Sequence, residues 1–141
     1  MPRERIFPRG TILVIDDEEI TGRMVRRHFP GWPVTQAYSI AAADDKLAAD
    51  VPLRLVLLDL NLGDTSYPEP LTENPWQGSF ILARRIRQEM PALPVVIFSA
   101  CSNPANSHAA RLAGAEFLSK HDAPGNLALL CRRLDLADQS L

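Results

Sequence analysis

The segment Leu55-Val56-Leu57-Leu58 is an unbroken aliphatic run of strand length that ends in a carboxylate, Asp59, followed by Leu60 and Asn61. A strand with one wet face alternates apolar and polar residues; a continuous run is what a strand covered on both faces requires. The segment therefore reads as a central strand of a parallel sheet with helices above and below. Asp59 falls at its carboxyl end, where open α/β sheets bind their ligands.

At 141 residues the chain is long enough to bury roughly 70% of its unfolded surface without a disulfide or metal staple. The net charge of -2 at pH 7 gives no general attraction to nucleic acid. The start, Met1-Pro2-Arg3-Glu4-Arg5, lacks the apolar core of a signal peptide. No apolar run approaches the about 18 residues of a membrane span, so no membrane insertion and a cytoplasmic location are expected. Cys101 and Cys131 form neither a disulfide framework nor a metal-ligand cluster and read as reduced thiols. His28, His108 and His121 show no ligand spacing.

In chain order, residues 1–10 form a polar arm, and Thr11 to Ile15 is a second aliphatic strand running directly into Asp16-Asp17-Glu18-Glu19. The spacing predicts a helix from about Glu19 to Phe29 with Ile20, Met24 and Val25 inward, stopped by Pro30-Gly31. Arg23, Arg26, Arg27 and His28 make a basic helix face, open between a docking surface and a solvated one. An outer strand at Val34 to Tyr38 and a helix over Ile40 to Ala49 follow, the helix burying Ile40, Ala43 and Leu47. After the central strand comes a long loop broken by Gly63, Pro68, Pro70 and Pro75, then a helix over Gly78 to Met90. Val95 to Phe98 is another aliphatic strand, delivering Ser99, and the next helix starts near Pro104 and ends near Gly114. Glu116 to Ser119 is a short last strand delivering Lys120, and Pro124 opens a final helix with Leu127, Leu130 and Leu134 on one stripe. Five strand-helix alternations with no internal repeat imply a doubly wound parallel sheet with right-handed crossovers.

The strand ends thus collect Asp16, Asp17, Asp59, Ser99 and Lys120. Three carboxylates within a few ångströms repel, so such a site needs protons or a cation, and an all-oxygen donor set suits a hard divalent ion such as Mg²⁺. The ion would screen the carboxylates from an incoming phosphoryl group and leave Asp59 able to act as an oxygen nucleophile. Lys120 and Ser99 would hold the remaining phosphoryl oxygens by charge and hydrogen bond.

Four segments carry a resemblance: ILVIDDE at Ile12 to Glu18, LLDLNL at Leu57 to Leu62, VVIFSA at Val95 to Ala100 and GAEFLSK at Gly114 to Lys120. Together, in this order and spacing, they resemble the receiver domains of two-component response regulators over essentially the whole length. The resemblance implies the flavodoxin-like fold, a five-stranded parallel sheet of order 2-1-3-4-5 with five helices. It implies that Asp59 is the phosphoacceptor, served by a sensor histidine kinase or a histidine phosphotransfer protein. It implies Mg²⁺ bound directly by Asp17, with Asp16 acting largely through water, and with Asp59 and the Asn61 backbone carbonyl as further metal-site groups. Ser99 matches the switch hydroxyl, Phe117 the switch aromatic and Lys120 the phosphate-binding lysine. Cys101 and Asn61 match positions beside the phosphoryl group. The expectation is a stand-alone receiver over residues 11–141, a switch and not a multiple-turnover enzyme, with a downstream protein target and a homodimer as an open possibility.

The departures are specific. His121 stands where receivers usually carry proline after the lysine, which removes the ready source of a cis peptide there. The segment from Gly114 to Phe117 is one residue shorter than the common form. The loop at about 63–77, with Tyr67 and Trp76, carries about ten extra residues. It is open between a lid, a kinase-selecting surface, a dimer contact and a tolerated insertion. These departures leave an alternative, a receiver-like interaction module that is not phosphorylated. An aspartate-nucleophile phosphohydrolase is disfavoured because Asn61 stands where its general acid would be.

Overall fold

The computed structural model describes residues 9–60, 62, 77–101 and 103–140. The Asn61 carbonyl and the loop residues Tyr67 and Trp76 lie outside them. Chain order is β1 (Thr11–Ile15), α1 (Glu19–His28), β2 (Val34–Ala37), α2 (Ile40–Ala48), β3 (Leu53–Leu58), α3 (Gln77–Glu89), β4 (Val95–Ser99), α4 (Pro104–Leu112), β5 (Glu116–Ser119) and α5 (Ala123–Gln139), with a 3₁₀ turn at Lys120–Asp122. The five strands form one parallel sheet in the order β2-β1-β3-β4-β5. The strand order reverses between β1 and β3, which opens a crevice at their carboxyl ends.

Strand periodicity sorts the core into two layers. Leu13, Ile15, Val56, Leu58, Val95 and Ile97 face α2, α3 and α4 through Ile40, Ala43, Leu82, Ala83, Ile86 and Ala110. Their neighbours Ile12, Val14, Leu55, Leu57, Val96 and Phe98 face α1 and α5 through Val25, Phe29, Leu127, Leu130 and Leu134. Each of these strand residues is almost wholly buried, and each aliphatic side chain so covered contributes about 1.5–3 kcal/mol. That is why β1, β3 and β4 read as continuous apolar runs and the edge strand β2 does not.

The helix ends are locally encoded. Ser39 Oγ accepts Ala42 N–H at 3.0 Å to start α2, and Asn103 Oδ1 accepts Asn106 N–H at 2.8 Å to start α4. Gly114, at φ +84, closes α4 while Ala115 N–H donates to the Ala110 carbonyl at 2.9 Å. A side chain there would be strained by the left-handed backbone and would press on Arg87 Cγ at 3.0 Å.

One inward assignment is corrected. Ile20 is 62% exposed, and α1 instead buries Thr21, Gly22 and Val25. A three-residue offset from Val25 leads to Gly22 and a four-residue offset to Thr21, so the inward stripe runs through small residues that apolarity alone does not mark.

Arg54, inside the aliphatic strand β3, is buried at the amino end of the sheet, and its Nε donates to Asp138 Oδ1 of α5 at 2.8 Å. Asp138 Oδ2 also accepts the Arg9 backbone N–H at 2.9 Å. The Arg9 guanidinium stands 3.1 Å from Asp135 Oδ1 and 4.9 Å from the Trp32 ring centroid. The Asp135 contact is an ion pair by distance, off the line of a hydrogen bond.

Candidate phosphoacceptor site

The site is assembled by backbone hydrogen bonds that continue past the strand ends. Asp16 N–H donates to the Ala37 carbonyl at 3.0 Å, and Asp59 N–H donates to the Ile15 carbonyl at 2.9 Å. The ladder therefore holds both acids at the carboxyl ends of β1 and β3, side by side at the crevice. Both are buried, at 1% and 5% exposure, where an unpaired carboxylate would not be tolerated. Lys120 supplies the pairing from the far side: its Nζ lies 2.7 Å from Asp16 Oδ2 and 3.4 Å from Asp59 Oδ1. The same ammonium stands 5.7 Å from the Phe98 ring centroid.

Burial works against the charge on Lys120, but the hydrogen bond to Asp16 and the charges of Asp59 and Asp16 outweigh it. They hold the ammonium above its ordinary pKa of 10.5. Lys120 reaches the acids although His121 follows it. The 3₁₀ turn that begins at Lys120 is capped by Ser119 Oγ, which accepts His121 N–H at 3.0 Å. The shortened segment before Phe117 leaves β5 in a regular parallel register, with Phe117 opposite Ile97 and Ser119 opposite Ser99.

Asp16, Asp17 and Glu18 bring carboxylate oxygens within 4.8 Å of one another. Asp16 is buried among them, while Asp17 and Glu18 are exposed at the mouth. Asp16 has both oxygens engaged, Oδ1 by Glu18 N–H at 2.9 Å and Oδ2 by Lys120. Of these acids and Asp59, Lys120 pairs with Asp16 and Asp59 alone among the described residues, an excess of negative charge that a hard divalent cation would relieve. Oxygen-only donors of this kind fit Mg²⁺ or Ca²⁺ and not a soft metal.

Ser99 is buried at the end of β4, and its Oγ accepts Cys101 N–H at 3.1 Å. Phe117 is half-buried against the layer of α2, α3 and α4. Two residues of the site were not foreseen. Ser79, in the first turn of α3, donates its hydroxyl to the Asp59 carbonyl at 2.8 Å and lies 3.2 Å from that of Leu60. Gln36, on β2, donates its amide to the carbonyls of Asp16 and Glu18, both at 2.9 Å. Ser79 carries no sequence signal beyond its place near a helix start. Gln36 could have been noticed as a polar residue in a strand, but an outer strand explains that equally well.

Known structures share this arrangement of chain. A response regulator from Thermotoga maritima superposes with a TM-score of 0.73 at 24% identity, over 89% of this chain and 97% of that one. The receiver domain of NtrX from Brucella abortus gives 0.70 at 27% identity, over 88% and 97%. A response regulator protein from Burkholderia pseudomallei, solved with a phosphorylated aspartic acid, a calcium ion and citrate, gives 0.62 at 24% identity over 79% of this chain. The match spans 59% of that longer chain. No family model and no curated protein matches the sequence. The structural neighbours are thus response regulators and their receiver domains, the class that the four sequence segments resemble. The five-stranded sheet of order 2-1-3-4-5 and its five helices are the flavodoxin-like receiver fold. Among the described residues, no helix is long and apolar enough to cross a membrane.

Proposed function

We propose that this chain is a response-regulator receiver that accepts a phosphoryl group on Asp59, in a Mg²⁺-dependent reaction, and signals through protein–protein contacts. The observation that carries the reading is the convergence of Asp16, Asp59 and Lys120 from three separate strand ends at the reversal of strand order. Asp17 and Asp59 would ligate the cation, and Asp16, already occupied by Glu18 N–H and Lys120, would act through water. When bound, the cation would neutralise part of the carboxylate charge and polarise the phosphoryl oxygens.

In this reading the donor is the phosphohistidine of a sensor kinase or a histidine phosphotransfer protein. An Asp59 carboxylate oxygen attacks phosphorus in line, and the phosphorus–nitrogen bond breaks with its electron pair leaving on the imidazole. Lys120 transfers its ion pair from Asp59 to the new phosphoryl oxygens, which carry more charge than the carboxylate did. Ser99 exchanges Cys101 N–H for a phosphoryl oxygen, to which its hydroxyl donates. Phe117 then turns further into the layer it already touches, and the face formed by α4, β5 and α5 shifts in population. The chain so described is a switch in the cytoplasm and not a multiple-turnover catalyst.

The test is intact-mass analysis after incubation with a small-molecule phosphodonor, with and without Mg²⁺. A single phosphoryl adduct is expected in the wild-type chain with Mg²⁺, and none in Asp59→Asn. An adduct that persists in Asp59→Asn would move the site elsewhere. No adduct under any condition would favour the interaction module that is not phosphorylated.

A further inference from the structure

The acidic loop after β1 has no helix cap of its own. Glu18, at the N-cap of α1, makes no side-chain capping bond. Besides the bond from Glu18 N–H to Asp16 Oδ1, the loop is held by a residue from the neighbouring strand. Gln36 is buried, and its single amide nitrogen donates at 2.9 Å to the carbonyl of Asp16 and at 2.9 Å to that of Glu18. One NH₂ group thus bridges the two ends of the Asp16-Asp17-Glu18 segment whose carboxylates cluster within 4.8 Å. The bridge ties together the carbonyls at the two ends of the loop that carries all three side chains.

The bridge has a cost and a requirement. Gln36 Oε1 is buried and, among the described residues, has no hydrogen-bond partner, so the amide is held through its donor nitrogen. The requirement lies in α1. A Cβ built on Gly22 would sit 2.0 Å from Gln36 Oε1 and 3.0 Å from its Cδ. Glycine disfavours a helix interior, yet here its bare Cα is what admits the amide between α1 and the loop.

We infer that Gln36 is a positioning residue for the cation-binding loop, and that Gly22 provides the slot in which it does so. The inference rests on the reading of Asp16 and Asp17 as cation-site residues and adds the device that orients them. Residues that orient metal ligands without touching the ion typically change metal affinity by about 10–100-fold when removed. Gln36→Met keeps the length of the side chain and removes the donor. Gly22→Ala keeps the donor and removes its place; since the amide is the movable partner, it is the amide that is displaced.

Mg²⁺ affinity, measured by titration calorimetry on the whole chain, should fall about tenfold or more in Gln36→Met, in Gln36→Ala and in Gly22→Ala. The double variant Gly22→Ala/Gln36→Ala should bind no worse than Gln36→Ala, because the alanine methyl then occupies space already vacated. Thermal melting in EDTA establishes that each variant is folded at the temperature of titration. Wild-type affinity in Gln36→Met, with only a lowered melting temperature, would make the amide purely structural and overturn the inference. Losses that multiply in the double variant would overturn the role given to Gly22. If Gly22→Ala does not fold, the two Gln36 variants decide alone. A wild-type chain that binds no divalent cation would remove the site reading itself, and the inference with it.

Discussion

The two ends of the sheet both bury charge, and they do so in opposite ways. At the amino end, Arg54 and Arg9 face Asp138 and Asp135, two cations against two anions, with Arg54 and Asp138 buried at 4% and 8% side-chain exposure. At the carboxyl end, Asp16 and Asp59 share Lys120, while Asp17 and Glu18 cluster with Asp16 and, among the described residues, add negative charge without a cation of their own at the site. The balanced cluster is closed: its charges neutralise each other and tie β3, α5 and the segment before β1 together. The unbalanced one is stable only by leaving Asp17 and Glu18 to solvent or by taking up a cation. Surplus charge of one sign, held in place by backbone ladders, distinguishes a site from a staple.

The largest expected effect breaks the balanced end. Asp138→Ala leaves the Arg54 guanidinium buried without its partner and should lower the unfolding free energy by about 3–5 kcal/mol, read by urea denaturation. Replacing both Arg54 and Asp138 by leucine should recover most of that loss, since no charge is then stranded. A fully stable Asp138→Ala variant would show that the pair is not what ties α5 to the sheet.

At the other end the response should be to the cation. Mg²⁺ at a hundredfold excess over its dissociation constant should stabilise the wild-type chain by about 2.7 kcal/mol, and EDTA should remove that gain. An identical melting temperature in Mg²⁺ and EDTA would count against a cation site. Smaller again, Asp59→Asn removes one of the two buried carboxylates that share Lys120 and should stabilise the metal-free chain by about 1 kcal/mol, while blocking phosphorylation. Destabilisation by the same substitution would mean that the Asp59–Lys120 attraction outweighs the repulsion among the acids.

The smallest effect returns to the amino end. Burial, and then the charge of Asp135, raise the Cys131 thiol above its ordinary pKa of 9.0. The folded chain therefore keeps its proton where the unfolded chain has lost it. The associated stability is complete below pH 9.0 and is lost as pH rises through the folded value. Cys131→Ala should flatten the decline in unfolding free energy as pH rises above about 8. An unchanged slope would place the alkaline loss on other groups.

Much of this was legible from the residues. The aliphatic runs at Thr11 to Ile15, Leu55 to Leu58 and Val95 to Phe98 announced a sheet covered on both faces, because such burial removes any tolerance for polar alternation. The acids, the serine and the lysine at the strand ends could be named because strand direction alone carries them to one edge. Arg54 carries no such signal, since an arginine before an apolar run looks like a strand boundary until a partner 84 positions later is known to meet it. Ile20 misled for the converse reason: its apolarity is a local property, whereas the inward face of α1 is chosen by what β2 puts against it.

The sequence by itself determined the element order, the parallel sheet and the identity of the strand-end groups, all properties of short windows and their succession. Only the tertiary structure decided which carboxylates share the lysine, how the amino-end charges pair off, and that Gln36 holds the acidic loop through the space left by Gly22. Those depend on contacts between residues far apart in the chain, at ångström separations that no local pattern specifies.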